Sequence, residues 1–148
     1  MGDFMKRVGL AQAELKAPKN QYNSFGKYNY RSCEDILEAA KPICRKHDLV
    51  LLLTDKPVCI GERYYIEATA RLYDTESDLF LEATASAREA DTKKGMDDSQ
   101  VTGTASSYAR KYALNGLFCI DDAKDSDYTN GIQNAPKAAP QVHKQPES

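Results

Sequence analysis

Two consecutive segments alternate so regularly that they constrain everything around them. In residues 63–73 (RYYIEATARLY), Tyr64, Ile66, Ala68, Ala70 and Leu72 fall on one side, and Tyr65, Glu67, Thr69, Arg71 and Tyr73 on the other. In residues 79–89 (LFLEATASARE), Leu79, Leu81, Ala83, Ala85 and Ala87 oppose Phe80, Glu82, Thr84, Ser86 and Arg88. Side chains that alternate with period two belong to strands with one covered face. The polar turn 74–78 is short, so the two strands pair antiparallel. Residues 49–60 precede them, rich in Leu, Val and Ile, and Gly61-Glu62 is a tight-turn pair in which Gly supplies positive φ. The expectation is a three-stranded meander. Its covered face is lined by alanines, small enough for a helix to come close.

Helices flank the meander. Residues 4–16 place Phe4, Val8, Ala11 and Leu15 at helical spacing, and Pro18 stops them. Residues 19–32 (KNQYNSFGKYNYRS) are rich in Asn, Gly, Ser and Tyr and read as an irregular loop. Ser32-Cys33-Glu34-Asp35 fits a capping box, followed by a buried stripe of Ile36, Leu37, Ala40, Ile43 and Cys44. Pro42 lies inside that stripe, where a kink or short break is expected. Residues 90–98 form a polar loop. A last helix runs from about Asp98 to Leu114, with Asn115-Gly116 as its stop. After Asp122 the chain turns polar and carries Pro136, Pro140 and Pro146. The expected organisation is therefore an α+β domain over 1–122 and a flexible tail over 123–148.

Composition excludes several classes. At 148 residues and 41% hydrophobic, the chain is the size of one domain. No apolar run approaches the roughly 20 residues of a membrane span, and no secretory leader is seen, so an intracellular location is expected. Cys33, Cys44, Cys59 and Cys119 have no zinc or disulfide spacing and read as small apolar residues in or near the core. The net charge of −2 is held by residues 121–148, with five acids and three lysines, so residues 1–120 are balanced. A balanced domain binds phosphates only where its cations cluster.

Three clusters qualify. On a wheel of the last helix, Val101, Ala105, Tyr108, Ala109 and Tyr112 face the sheet, while Gln100, Gly103, Ser107, Arg110 and Lys111 lie opposite. Small residues let a sugar-phosphate chain approach, hydroxyls donate, and the two cations neutralise phosphates. The competing reading is that a neighbouring helix or subunit packs there. The second cluster is Lys93 and Lys94 beside Gly95, a weak signal alone. The third is Tyr22, Phe25, Lys27, Tyr28, Tyr30 and Arg31, where rings interleave with cations as base stacking requires; sealing a core edge is the alternative. Enzyme chemistry finds little footing. Gly26-Lys27 lacks the phosphate-loop pattern, and His47 and His143 are the two histidines. Asp97-Asp98 and Asp121-Asp122 are more simply solvated acids than Mg²⁺ ligands. No catalytic residue, metal or cofactor is expected.

Two segments carry a resemblance: Phe25 to Leu37 (FGKYNYRSCEDIL) and Gly95 to Asp122 (GMDDSQVTGTASSYARKYALNGLFCIDD). With the strands between them they resemble the ERF (essential recombination function) family of phage single-strand annealing proteins, over roughly residues 5–125 with the tail outside. The resemblance implies a β-β-β-α core and ATP-independent annealing of single-stranded DNA by rings or helical filaments. It also implies the cytoplasm of a bacterial host, a phage or prophage origin, and a phage exonuclease or host single-strand-binding protein as further partners. Arg110 and Lys111 fall in the stretch that lines the DNA groove in related annealing proteins. The expected DNA contacts are Arg110, Lys111, Lys93, Lys94 and Ser107, with Lys27, Tyr28 and Arg31 from the aromatic loop and Arg71 or Arg88 from the exposed sheet face. A protecting module that does not anneal, and a structural or host-interaction protein, remain open.

Overall fold

A computed structural model describes the backbone at residues 2–89, 98–120 and 141–143, and side chains at 2–89 and 104–120. The element order is α1 (Gly2–Glu14), β1 (Gln21–Asn23), β2 (Tyr28–Tyr30), α2 (Cys33–Lys46), β3 (Leu49–Ile60), β4 (Arg63–Asp74), β5 (Phe80–Arg88), α3 (Asp98–Phe118) and β6 (Gln141–His143).

The alternating strands pair as their pattern demands. β3, β4 and β5 form an antiparallel meander, with Leu53 opposite Ala70 and Ala70 opposite Ala83. Ile66, Ala68, Ala70, Leu72, Leu81, Ala83, Ala85 and Ala87 are buried on one face. α3 lies across this face and brings its own alanines, Ala105, Ala109 and Ala113, to the contact. Small residues on both sides let the helix and sheet backbones approach closely. At its C-terminal end, Leu114, Leu117 and Phe118 fill the wider gap to α1 and α2. Gly61, at φ +63, makes the β3–β4 turn in the left-handed region that glycine tolerates.

The helices close the core from one side. Ser32 caps α2 by accepting the Asp35 N–H, and Asp35 accepts the Ser32 N–H in return, a reciprocal box worth about 1 kcal/mol. α2 runs through Pro42 as one element. α1 buries Phe4, Val8 and Ala11. Arg7 fastens it by donating to the carbonyls of His47 and Asp48 and to the carboxylate of Asp74, joining three elements at one guanidinium. Asp74 also accepts from Ser77 and from the Glu76 N–H, which fixes the β4–β5 turn.

Three expectations are corrected, on residues 19–32, on the end of α3 and on the cysteines. Residues 19–32 are not an irregular loop, because β1 and β2 pair as a hairpin, Asn23 opposite Tyr28. Three-residue strands are too short for alternation to register in sequence. α3 does not stop at Asn115-Gly116 but continues to Phe118, since burial of Leu117 and Phe118 outweighs the poor helix propensity of Asn and Gly. Cys119 takes the left-handed capping position at φ 57, with Ile120 N–H bonded to Asn115 and Cys119 N–H to Gly116, a Schellman arrangement. Only Cys33 and Cys44 are buried; Cys59 and Cys119 are exposed. In the stretch expected as tail, residues 141–143 form β6 along β5, Val142 opposite Ala83. The rest of that stretch, and the 90–97 loop, lie outside the described residues.

The alanine layer has a measurable consequence. Ala109→Leu forces a large side chain into a closed helix–sheet contact and is expected to cost about 1–3 kcal/mol. Urea unfolding checks this, and a midpoint equal to wild type would mean that the contact is loose.

Candidate nucleic-acid interface

The two basic segments that sequence places far apart meet in the fold. Lys111, on α3, holds its Nζ 5.5 Å from the centre of the Tyr30 ring on β2, a cation–π contact. The hairpin is tied down at its other corners. Gln21 donates to Asp35 at 3.3 Å, and Arg31 donates through Nε to the Ala17 carbonyl at 2.7 Å. Tyr28 and Tyr30 meet edge to face, with centres 6.0 Å apart. Asp35 is held below the usual carboxylate range: burial alone would raise it, but the Ser32 N–H, Gln21 and the Lys111 charge favour the ionised form.

Arg110 projects on the neighbouring side of α3, half-exposed. Its Nε bonds Asp55 at 2.9 Å, and the Ser106 hydroxyl donates to the same carboxylate oxygen. Arg110 and then Ser106 hold Asp55 below the ordinary aspartate range. A guanidinium has five N–H donors, so the tie to Asp55 orients Arg110 while leaving donors for a phosphate. Ser107, three residues before Arg110 on α3, is exposed. The Cys33 thiol near this cluster is pushed up to about 11 by burial and by Glu34, which keeps it protonated and unreactive.

Lys111 requires a correction. The wheel places it on the open side of the helix, but it is only 3% exposed. α2 and the hairpin cover that side, so its charge is spent on the Tyr30 ring and on Asp35. Arg71 and Arg88 lie on the outer face of the sheet, with the sheet between them and Arg110. Arg71 is engaged there by Glu82 at 2.6 Å, by the Tyr73 hydroxyl and by the Phe80 ring. A shallow concavity beside it, about 270 Å³, is lined by Lys56 and Arg71 but equally by Asp55 and Glu67, so it carries no net attraction for phosphate. Lys27 is exposed on the hairpin, whereas Tyr28 and Arg31 are half-buried. Lys93 and Lys94 lie outside the described residues, as do Asp97, Asp121 and Asp122 and the side chains of Asp98, Gln100 and Gly103. Among the described residues no cluster of His, Cys, Asp and Glu is arranged to hold a metal, and no helix is long and apolar enough to cross a membrane.

The family model of the ERF superfamily matches residues 4–148. The chain belongs to the ERF superfamily. This match runs through the C-terminal stretch, which the sequence resemblance leaves outside. The ERF chain is 56% identical over 138 residues to the essential recombination function protein of Salmonella phage P22; the alignment covers 93% of this chain and 65% of that relative. No solved structure matches it.

Asp55 is the site residue that sequence reasoning missed. It had a signal: in β3 it shares the inward parity of Leu49, Leu51 and Leu53. An acid at an inward position requires a partner, and in this ERF chain Arg110 and Ser106 supply it. Because the folded value of Asp55 is depressed, its contribution to stability is present above the ordinary aspartate value of about 3.9. It is lost as pH falls through the lower folded value. Asp55→Asn should therefore remove one increment from the acid side of the stability–pH curve. Urea unfolding of both proteins from about pH 7 to about pH 3 tests this; superimposable pH slopes would show that the tie adds nothing to the fold.

Proposed function

We propose that this chain binds single-stranded DNA and promotes annealing of complementary strands in phage-type homologous recombination, without nucleotide and without breaking bonds. The observation that carries the reading is the hairpin over residues 19–31. It holds Lys19, Lys27 and Arg31, four aromatic rings and no acid, in a chain of net charge −2, and the Lys111–Tyr30 contact sets it beside α3. Rings for bases and cations for phosphates are what a single strand demands. The name of the phage P22 relative, essential recombination function protein, supports the recombination part of this reading.

Arg110, Ser107 and Lys27 are the groups we assign to the phosphate backbone, and we add Lys93 and Lys94 from the sequence that precedes α3. Lys111, Tyr28 and Arg31 act behind them: Arg31 anchors the hairpin, Lys111 holds it against α3, and Tyr28 braces its tip. Arg71 and Arg88 face a different surface and are left to a second strand or to assembly. Subunits align side by side into rings or filaments, so that short grooves join into one. Annealing is then positional, because extended strands with exposed bases sample register faster than tangled ones. A phage exonuclease that makes the single strands, or a host protein that coats them, is the natural partner.

The decisive assay mixes two complementary labelled oligonucleotides with purified protein, without nucleotide, across a salt series. Acceleration that fades with salt is the expected result. Salt-sensitive binding without acceleration would leave a protecting module, and no binding at low salt would remove DNA altogether. Arg110→Ala should weaken binding to all sequences alike and lower the salt slope by about 0.7, one phosphate contact on a single strand. An unchanged slope, with the fold intact by melting, would take Arg110 out of the groove.

A further inference from the structure

The most exposed large apolar side chain described in the molecule is Phe25, at 97%. It stands at the tip of the β1–β2 hairpin, and that tip is built rather than loose. The Asn23 side chain accepts the Gly26 N–H at 3.0 Å and donates to the Tyr28 hydroxyl at 2.9 Å, bridging the turn. The Tyr28 ring lies directly over Gly26, where a Cβ would sit 2.2 Å from the ring edge, so a larger residue would have to displace the ring. Lys27 closes the turn in the left-handed region at φ 57. The hairpin base is fixed to α2 through Gln21–Asp35, to the α1–β1 connection through Arg31 and to α3 through Lys111. A braced arm thus holds one ring clear of the protein, with exposed Lys27 two residues away and Tyr22 60% exposed on the same hairpin.

We propose that Phe25 is a base-stacking residue: an unpaired base of the bound strand seats on its ring while Lys27 meets the adjoining phosphate. The inference rests on the single-strand reading above and deepens it by assigning the contact to bases. The local charge selects this occupant. Residues 19–31 carry three cations and no carboxylate, which suits a polyanion with planar faces better than an apolar pocket on another protein. Every base has a π face, so the contact is indifferent to sequence, as pairing of arbitrary complementary strands requires. The ring also lies outside the core, so replacing it leaves the fold untouched.

The chain contains no tryptophan, so Phe25→Trp introduces a single one that reports from the tip alone. Titration of the full chain with an oligothymidylate should quench its emission, with the same midpoint as the anisotropy rise of a labelled oligothymidylate. Phe25→Ala should weaken binding roughly 5- to 100-fold with the salt slope unchanged, because stacking releases no counterions. Anisotropy that reports binding while the tryptophan emission stays constant would overturn the assignment. So would a blue shift that grows with protein concentration before DNA is added, which would place the tip against a second copy. Failure of the wild-type chain to bind at all is a separate outcome, seen in anisotropy alone, and would overturn the single-strand reading together with this one.

Discussion

The close approach of α3 to an alanine-lined sheet is the contact on which the other features depend. Alanines on both partners leave little volume between helix and sheet, and tight packing fixes the helix in rotation as well as distance. That rotation sends Arg110 toward β3 and Lys111 toward the hairpin. A residue one position along a helix turns by about 100°, so neighbouring cations can take unrelated roles. One remains half-exposed, while the other becomes a strut beneath an aromatic ring.

Charge is used sparingly in this molecule. With residues 1–120 balanced, most cations near the core are already spoken for: Arg7 on the α1–α2 junction, Arg31 on a carbonyl, Arg71 on Glu82, Lys111 on Tyr30. Lys27 on the hairpin and Arg110 on the Asp55 side of α3 keep exposed and half-exposed positions. Asp55 both reduces the local positive field and orients the guanidinium, so Arg110 offers direction more than raw charge. The neutral composition and a nucleic-acid surface are compatible because clustering, not net charge, sets the local potential.

The strands, the turns, the α2 capping box and the core residues of α1 were legible from periodicity, since each is a local pattern that burial reinforces. The β1–β2 hairpin was not. Its strands are three residues long, and its register is set by Asn23, Gly26 and Tyr28 rather than by alternation. The end of α3 was misplaced because Asn115 and Gly116 are weak helix formers whose neighbours, Leu117 and Phe118, are buried deeply enough to carry the helix past them. Of the expected DNA contacts, Ser107, Arg110, Lys27 and Arg88 kept surface positions, Arg88 on the outer face of the sheet. Lys111 did not, because a wheel reports angle and is silent about which neighbour covers a second face.

Sequence by itself determined the meander, its covered face and the family, because period-two alternation and the Phe25 to Leu37 and Gly95 to Asp122 segments are properties of the chain alone. It also determined that aromatic rings and cations occur together in residues 19–31. Tertiary structure decided which of those groups remain available. Asp55 lies 55 residues from Arg110, and Tyr30 lies 81 residues before Lys111, and no local pattern links either pair. Their pairing follows from how α2, α3 and the hairpin share one edge of the core, where a long-range contact either spends a charge or leaves it at the surface.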